Sequence, residues 1–429
     1  GSADPRPARL VRLRHHGLTL RAALLVLLAL ALAAPAADAA TVTYAKPNAP
    51  GPALSVPTKD LVGALTCSKG FKDAAASHAP VLLVQGTGAT AEDNWSWTYE
   101  PAFDKLGIPW CQTDLPDHAT GDIQINAQYV VYAIREMHQE ADRKIAIVGH
   151  SQGGMLPRWA LRFWPDTRKM VDDVIGFAPS NHGTSQATQT CGDGSCAAAD
   201  WQQWDISGFV KALNSSAETW AGISYTNVYT HTDEIVIPNS DDTGSSSLHT
   251  GKGKIVNVAT QDVCPSDVME HLTIGTIDPV AYALAIDALT HDGPADPKRV
   301  PITTCAMATM PGVDPLTGPT AAANAVLDFE NYNGKEIGAE PPLDCYVTAT
   351  CAGAGQLACR PFTVAIQALK RPTAAVNGER VKVKTRGRRI TVRVRPKRYR
   401  GETVRVAFSG RDATGTLVTV RRVVPRCGA

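Results

Sequence analysis

The chain has 429 residues, 44% of them hydrophobic, enough for one large core and a smaller second unit. Its formal charge of +1 hides a division: residues 1–39 carry 5 Arg against 2 Asp, residues 40–359 carry 18 Lys and Arg against 36 Asp and Glu, and residues 360–429 carry 19 against 3. An acidic body beside a strongly basic tail speaks to surfaces and partners rather than to fold, and ten cysteines without a Cys/His cluster of zinc-ligand spacing argue for disulfides over metal sites.

Five arginines, from Arg6 to Arg21, precede the apolar run Ala22 to Ala34, and Ala37-Asp38-Ala39 offers a small-x-small cleavage site. This reads as a secretory signal over residues 1–39. Gly1-Ser2 carries no weight. The apolar run is too short to span a bilayer, and no later stretch reaches ~18 uninterrupted apolar residues, so the expectation is a secreted, soluble, monomeric enzyme in an oxidising compartment.

Val81-Leu82-Leu83-Val84 running into Gln85-Gly86-Thr87-Gly88 predicts a buried parallel strand entering a tight loop. Apolar residues at helical spacing predict a helix over Asn126 to Glu140, and Lys144 to Val148 predicts the next strand. There follows Gly149-His150-Ser151-Gln152-Gly153, a Gly-x-Ser-x-Gly placed between β-formers and an amphipathic stretch, Met155 to Trp164. This is the pattern of a nucleophile elbow, in which glycines on both sides leave room for a serine on a strained turn. Pro157 lies inside the following helix, where it removes a donor and bends the chain.

Val174 to Pro179, Thr226 to Thr230 and Lys254 to Val258 predict further strands, and Ile274 to Leu289 a helix. Strands alternating with helices imply an α/β fold, a mostly parallel sheet flanked by helices. Thr184 to Ser207 is small, polar and aperiodic apart from Trp201 and Trp204, which suits a surface lid. Within it Cys191 and Cys196 enclose two glycines, a spacing that lets the sulfurs meet.

A serine nucleophile needs a histidine base, and the base needs a carboxylate, in the chain order Ser, acid, His on this fold. Asp233 follows a predicted strand, with Asp241, Asp242 and Asp262 as competitors. His271 follows a cysteine-bearing loop, with His249 and His291 as alternatives. Two backbone donors for an oxyanion come from Gln152 and from Gly86-Thr87-Gly88, and Ile235 and Val236 stand beside the acid as pocket candidates, with Ala321 to Leu327 at the mouth. No metal or organic cofactor is implied.

Beyond Cys359, period-two alternation such as Ile390, Val392, Val394 and Val404, Val406, Phe408, with Asn377-Gly378, Arg386-Gly387 and Thr414-Gly415 as turns, predicts a small antiparallel β domain with a basic face. The domains expected are thus 1–39, 40–359 and 360–429. Nucleic-acid binding is disfavoured, since Phe362, Tyr399 and Phe408 are the only aromatics of the tail.

In order and separation, Leu82 to Gly88, Ser151-Gln152-Gly153-Gly154, Phe177-Ala178-Pro179, Thr232 to Val236 and the His271 segment resemble the Candida antarctica lipase B family, over roughly Leu54 to Phe362. The resemblance implies an α/β-hydrolase with a triad of Ser151, Asp233 and His271, and an oxyanion hole at Thr87 and Gln152. It also implies substrate contacts around His150, Ser180 and Gln203, and disulfides Cys67–Cys111 and Cys264–Cys305. His150 stands where that family has tryptophan, which predicts a roomier, wetter pocket, and Ser180 stands where it has an acidic residue. Cys345, Cys351, Cys359 and Cys427 leave three pairings open. The activity implied is hydrolysis of carboxylic esters, triacylglycerol-like lipids foremost. The alternatives are a surface-acting acyltransferase or polyester hydrolase, and a module binding acidic polymer or anionic lipid through residues 370–429.

Overall fold

A computed structural model describes Gly1 and residues 42–71, 78–331, 334–349, 362–367, 369–387, 389–395, 404–411 and 417–424. The expected secretory signal, apart from Gly1, and the expected turn at Thr414-Gly415 lie outside them.

Seven strands form the central sheet: β1 (Leu65–Cys67), β2 (Val81–Val84), β3 (Trp110–Thr113), β4 (Ile145–His150), β5 (Val171–Phe177), then, past a short β6 (Cys196–Ala197), β7 (Ser224–Tyr229) and β8 (Lys254–Ala259). Their order is β1-β3-β2-β4-β5-β7-β8, parallel throughout except for β1 against β3. Strands β2 and β4 are buried along their whole length, as strands covered on both faces must be, which is why they read as unbroken apolar runs. One face packs on α1 (Ile123–Ala141) and α2 (Gln152–Phe163) through residues such as Val130, Ile134 and Trp159. The other packs on Trp95, Tyr99, Phe103 and the buried side of α4 (Pro279–Thr290). Between those helices in the chain lies α3 (Ala198–Gln203).

Two departures from the sequence expectations have local causes. The predicted helix Ile274 to Leu289 is two helices, His271–Ile274 and α4, because Asp278 caps α4 by accepting from Val280 and Ala281 N–H at 2.7 and 3.3 Å, ahead of Pro279. The stretch His271–Thr290 is apolar and long enough to cross a membrane by composition, with mean hydropathy 1.4, yet over half of it is buried inside the protein. The expected surface lid at Thr184 to Ser207 is instead partly core. It folds into Ala187–Cys191, β6 and α3, buries Ala187, Cys191, Ala199 and Gln202, and pairs β6 with β9 (Glu336–Ile337). Pro157 sits within α2, whose twelve residues are all buried.

Disulfides join Cys67 to Cys111, Cys191 to Cys196 and Cys264 to Cys305. Cys67 and Cys111 are direct partners across the β1/β3 register, so that crosslink ties the sheet's antiparallel edge. Cys345 is also disulfide-bonded, while Cys351, Cys359 and Cys427 lie outside the described residues.

The tail forms two antiparallel sheets, β10 (Phe362–Gln367) with β14 (Arg389–Val394) and β13 (Lys384–Arg386), and β12 (Glu379–Val381), β11 (Lys370–Val376), β15 (Val404–Arg411) and β16 (Leu417–Val424). Ala374, Val376, Ile390, Val392, Val394, Val406 and Phe408 make a small core of their own. The turn after β11 puts both Asn377 and Gly378 at positive φ, as a two-residue hairpin requires.

Candidate active site

Ser151 stands at the junction of β4 and α2 with φ 54° and ψ −122°, a conformation that strains any side chain. The turn closes only because its flanks lack Cβ atoms. A Cβ on Gly149 would lie 2.1 Å from the Gly153 carbonyl oxygen, and one on Gly153 would lie 2.1 Å from that of Val84. The Ser151 N–H donates to the Phe177 carbonyl at 2.8 Å, which binds the elbow to β5.

Ser151 and His271 both line one cavity of about 420 Å³, together with Thr87, His150, Gln203, Ile235, Val236 and Phe329. The His271 ring places Nδ1 2.9 Å from Asp233 Oδ1, and both residues are buried. Asp233 is itself oriented: Oδ1 accepts from the Ile235 and Val236 N–H groups at 3.0 and 2.7 Å, and Oδ2 accepts from Asn239 Nδ2 at 3.1 Å. Since a carboxylate only accepts, Nδ1 carries the proton in this pair and Nε2 is left as an acceptor. Burial disfavours the imidazolium, but the Asp233 carboxylate, with Glu234 and Glu270 beyond, outweighs it and holds the His271 pKa above its ordinary value. Burial pushes Asp233 up and His271 pulls it further down, so that its carboxylate titrates below the usual range.

Across the cavity, the Thr87 hydroxyl oxygen accepts from Gln152 Nε2 at 2.7 Å and from Gln203 Nε2 at 2.9 Å. With both lone pairs used, its O–H proton is free to donate elsewhere. Gln152 is held in turn by Asn126 Nδ2, which donates to its Oε1 at 3.1 Å. Gln203 accepts from Ser180 Oγ at 2.8 Å. Ser180 is fully buried, is not among the residues lining the cavity, and meets it through Gln203.

His150 keeps its polar ring edge bonded within the protein. Its Nε2 donates to the His271 carbonyl at 2.8 Å, because a carbonyl can only accept, which leaves Nδ1 to accept from Asn94 Nδ2 at 3.1 Å. Asn94 Oδ1 accepts in turn from the Gly86 N–H at 3.0 Å. Both ring nitrogens are thus spent inside the protein. Burial, aided by the nearby His271, drives the His150 pKa down to about 3, so the ring is neutral. Asn94 and Asn239 carried no sequence signal, since nothing in a single asparagine marks it as the partner of His150, 56 positions away, or of Asp233, 6 positions away.

The competing acids and bases sit elsewhere. Asp241 is exposed and caps its own turn at Thr243, and Asp262 accepts from the Ala259 N–H. The His249 N–H donates to Glu218, and His291 faces Asp287. The cavity mouth is formed by α5 (Gly318–Asn331), through Ala322, Ala325, Val326 and Phe329.

Residues 78–273 match the family model described as lipase (class 2). Lipase B of Pseudozyma antarctica is 34% identical over 227 residues, which is 52% of this chain; the chain spans 65% of that relative's length. The crystal structure of Aspergillus fumigatus lipase B superposes with a TM-score of 0.65 at 29% identity, over 70% of this chain and 74% of that one. Sheet order, elbow and sequence likeness run through the same residues, and over that body the chain has the α/β-hydrolase fold and resembles lipase B.

Proposed function

We propose that the protein is an exported serine hydrolase that cleaves carboxylic esters, with triacylglycerol-like lipids as its class of substrate, through an acyl-enzyme on Ser151. The observation that carries the reading is a single cavity lined by Ser151, by the Asp233-bound ring of His271, and by a Thr87 hydroxyl whose acceptor sites are filled. His271 Nε2 takes the Ser151 proton as Oγ attacks the ester carbonyl, and returns it to the departing alcohol oxygen. A second round, with water in place of serine, releases the acid and restores the serine. Asp233 keeps Nδ1 protonated and stabilises the imidazolium between the two transfers. The Thr87 O–H and the Gln152 backbone N–H bind the oxyanion, each such donor contributing about 3 kcal/mol to the transition state. Apolar Ile235, Val236 and Phe329 on the cavity wall, and the exposed Val326 and Leu327 on α5, support an aliphatic substrate. Three disulfides support an oxidising destination.

The test is hydrolysis of p-nitrophenyl esters from acetate to palmitate by the protein and by Ser151→Ala. Activity lost in the variant, with its fold intact, is the expected result. Preference along the series then separates short-chain esterase from lipase. A folded, disulfide-bonded protein inert on every ester overturns the reading.

A further inference from the structure

Strands β13 and β14 pair with Arg386 directly opposite Arg389 and Lys384 opposite Thr391. Paired positions share a face, so Lys384, Arg386, Arg389 and Arg393 stand together on one side, with Arg395 one pleat further along the same period. All five cations are exposed, while Ile390, Val392 and Val394 between them are buried on the opposite side. Lys384 is diagonal to both Arg389 and Arg393, roughly 7–8 Å away at that register, so the cations form one continuous patch. Like charges directly opposite in an antiparallel pair are destabilising, and no ion pair joins any of the five to a carboxylate among the described residues. The repulsion is thus uncompensated within the described chain, and an external anionic surface relieves it.

The chemistry of the patch narrows the partner. No aromatic side chain lies on β13 or β14, which removes the stacking platform that sugars and unpaired bases require. Four of the five cations are arginine, whose planar fork matches an oxyanion two bonds at a time. Residues 40–359 carry twice as many acids as bases, so that body is repelled by any negatively charged interface, whereas the tail is attracted to one.

We propose that this face holds the enzyme on a lipid surface charged by the fatty carboxylates that its own reaction releases. The proposal rests on the ester-hydrolase reading above. Water cleaves the ester into an alcohol and a carboxylic acid, the acid loses its proton to the bulk, and a long-chain carboxylate stays at the interface. Each turnover then adds negative charge where the arginines bind, and the enzyme is retained where it has already worked. A basic residue near an anionic lipid surface strengthens partition on the order of fivefold, so three lost charges weaken it about a hundredfold. The attraction is screened over about 10 Å at 0.1 M salt, so it fades as salt rises.

The test is flotation of the disulfide-bonded protein with phosphatidylcholine vesicles, with and without oleate, at low and high salt. The variants are Arg386→Gln/Arg389→Gln/Arg393→Gln and a control of equal charge change, Lys59→Gln/Lys105→Gln/Lys169→Gln, whose cations are exposed outside the tail. The expected result is flotation with oleate vesicles only, lost in the arginine variant and at high salt, kept in the control. Thermal melts of both variants confirm that the fold is retained. Equal flotation by the arginine variant, or binding to phosphatidylglycerol vesicles or heparin but not to oleate vesicles, overturns the proposal. Hydrolysis of a soluble p-nitrophenyl ester, run in parallel, reads the hydrolase separately, and the arginine variant is expected to keep it unchanged.

Discussion

His150 holds two segments of the site together with one neutral ring, linking the His271 carbonyl through Asn94 to the Gly86 N–H of the proposed oxyanion loop. Replacing it by phenylalanine keeps an aromatic ring, somewhat larger, but leaves a buried amide and a buried carbonyl unpaired, at about 1–3 kcal/mol each. The expected outcome of His150→Phe is a kcat about tenfold or more lower with KM changed much less, because the proposed base moves while the cavity stays. Steady-state kinetics on a soluble ester reads that split. The pH profile follows from His271. A base works only when unprotonated, and its folded pKa is raised, so kcat/KM falls as pH drops through a value above the ordinary histidine pKa of about 6.5. Asp233→Asn removes the group that raises it, so the acid limb moves to lower pH while kcat falls by about 10⁴-fold. A limb that stays in place in that variant contradicts the assignment of Asp233 as the partner.

At the level of elements, the elbow joins three pieces of backbone that have no slack. Gly149→Ala and Gly153→Ala drive a methyl carbon into carbonyl oxygens 2.1 Å away, on α2 and at the end of β2 respectively. Neither oxygen belongs to a flexible side chain, so the strand and helix must separate. Both variants are expected to lose esterase activity and to melt at a lower temperature, whereas Gly121→Ala, whose Cβ meets nothing within 4 Å, changes neither. The elbow was legible because its glycines and serine are contiguous. Strands β1 and β3 were not, since three and four residues with mixed burial show no periodicity. Two helices were read as one because the apolar spacing around Asp278 and Pro279 outweighed the cap signal that those two residues carry. The segment Thr184 to Ser207 misled for the opposite reason. Its small residues pack closely against the cavity wall, and smallness alone does not distinguish close packing from exposure.

Over the whole molecule, two crosslinks close loops of 44 and 41 residues, Cys67–Cys111 at the sheet edge and Cys264–Cys305 beside α4. In the chain-entropy model each is worth about 4 kcal/mol. The double variant Cys264→Ala/Cys305→Ala is therefore expected to melt several degrees lower by calorimetry while retaining activity at room temperature, and an unchanged melting temperature contradicts a stabilising role. Sequence by itself determined the parallel α/β body, the elbow at Ser151, the basic alternating tail and the Cys191–Cys196 pair, because each rests on residues adjacent in the chain or on a short period. Tertiary structure alone decided that Asp233 and not one of its rivals meets His271, that Gln152 and Gln203 converge on Thr87, and that Ser180 supports rather than lines the cavity. These depend on side chains brought together across tens to more than a hundred residues, and no local pattern encodes which distant partner the folded sheet will supply.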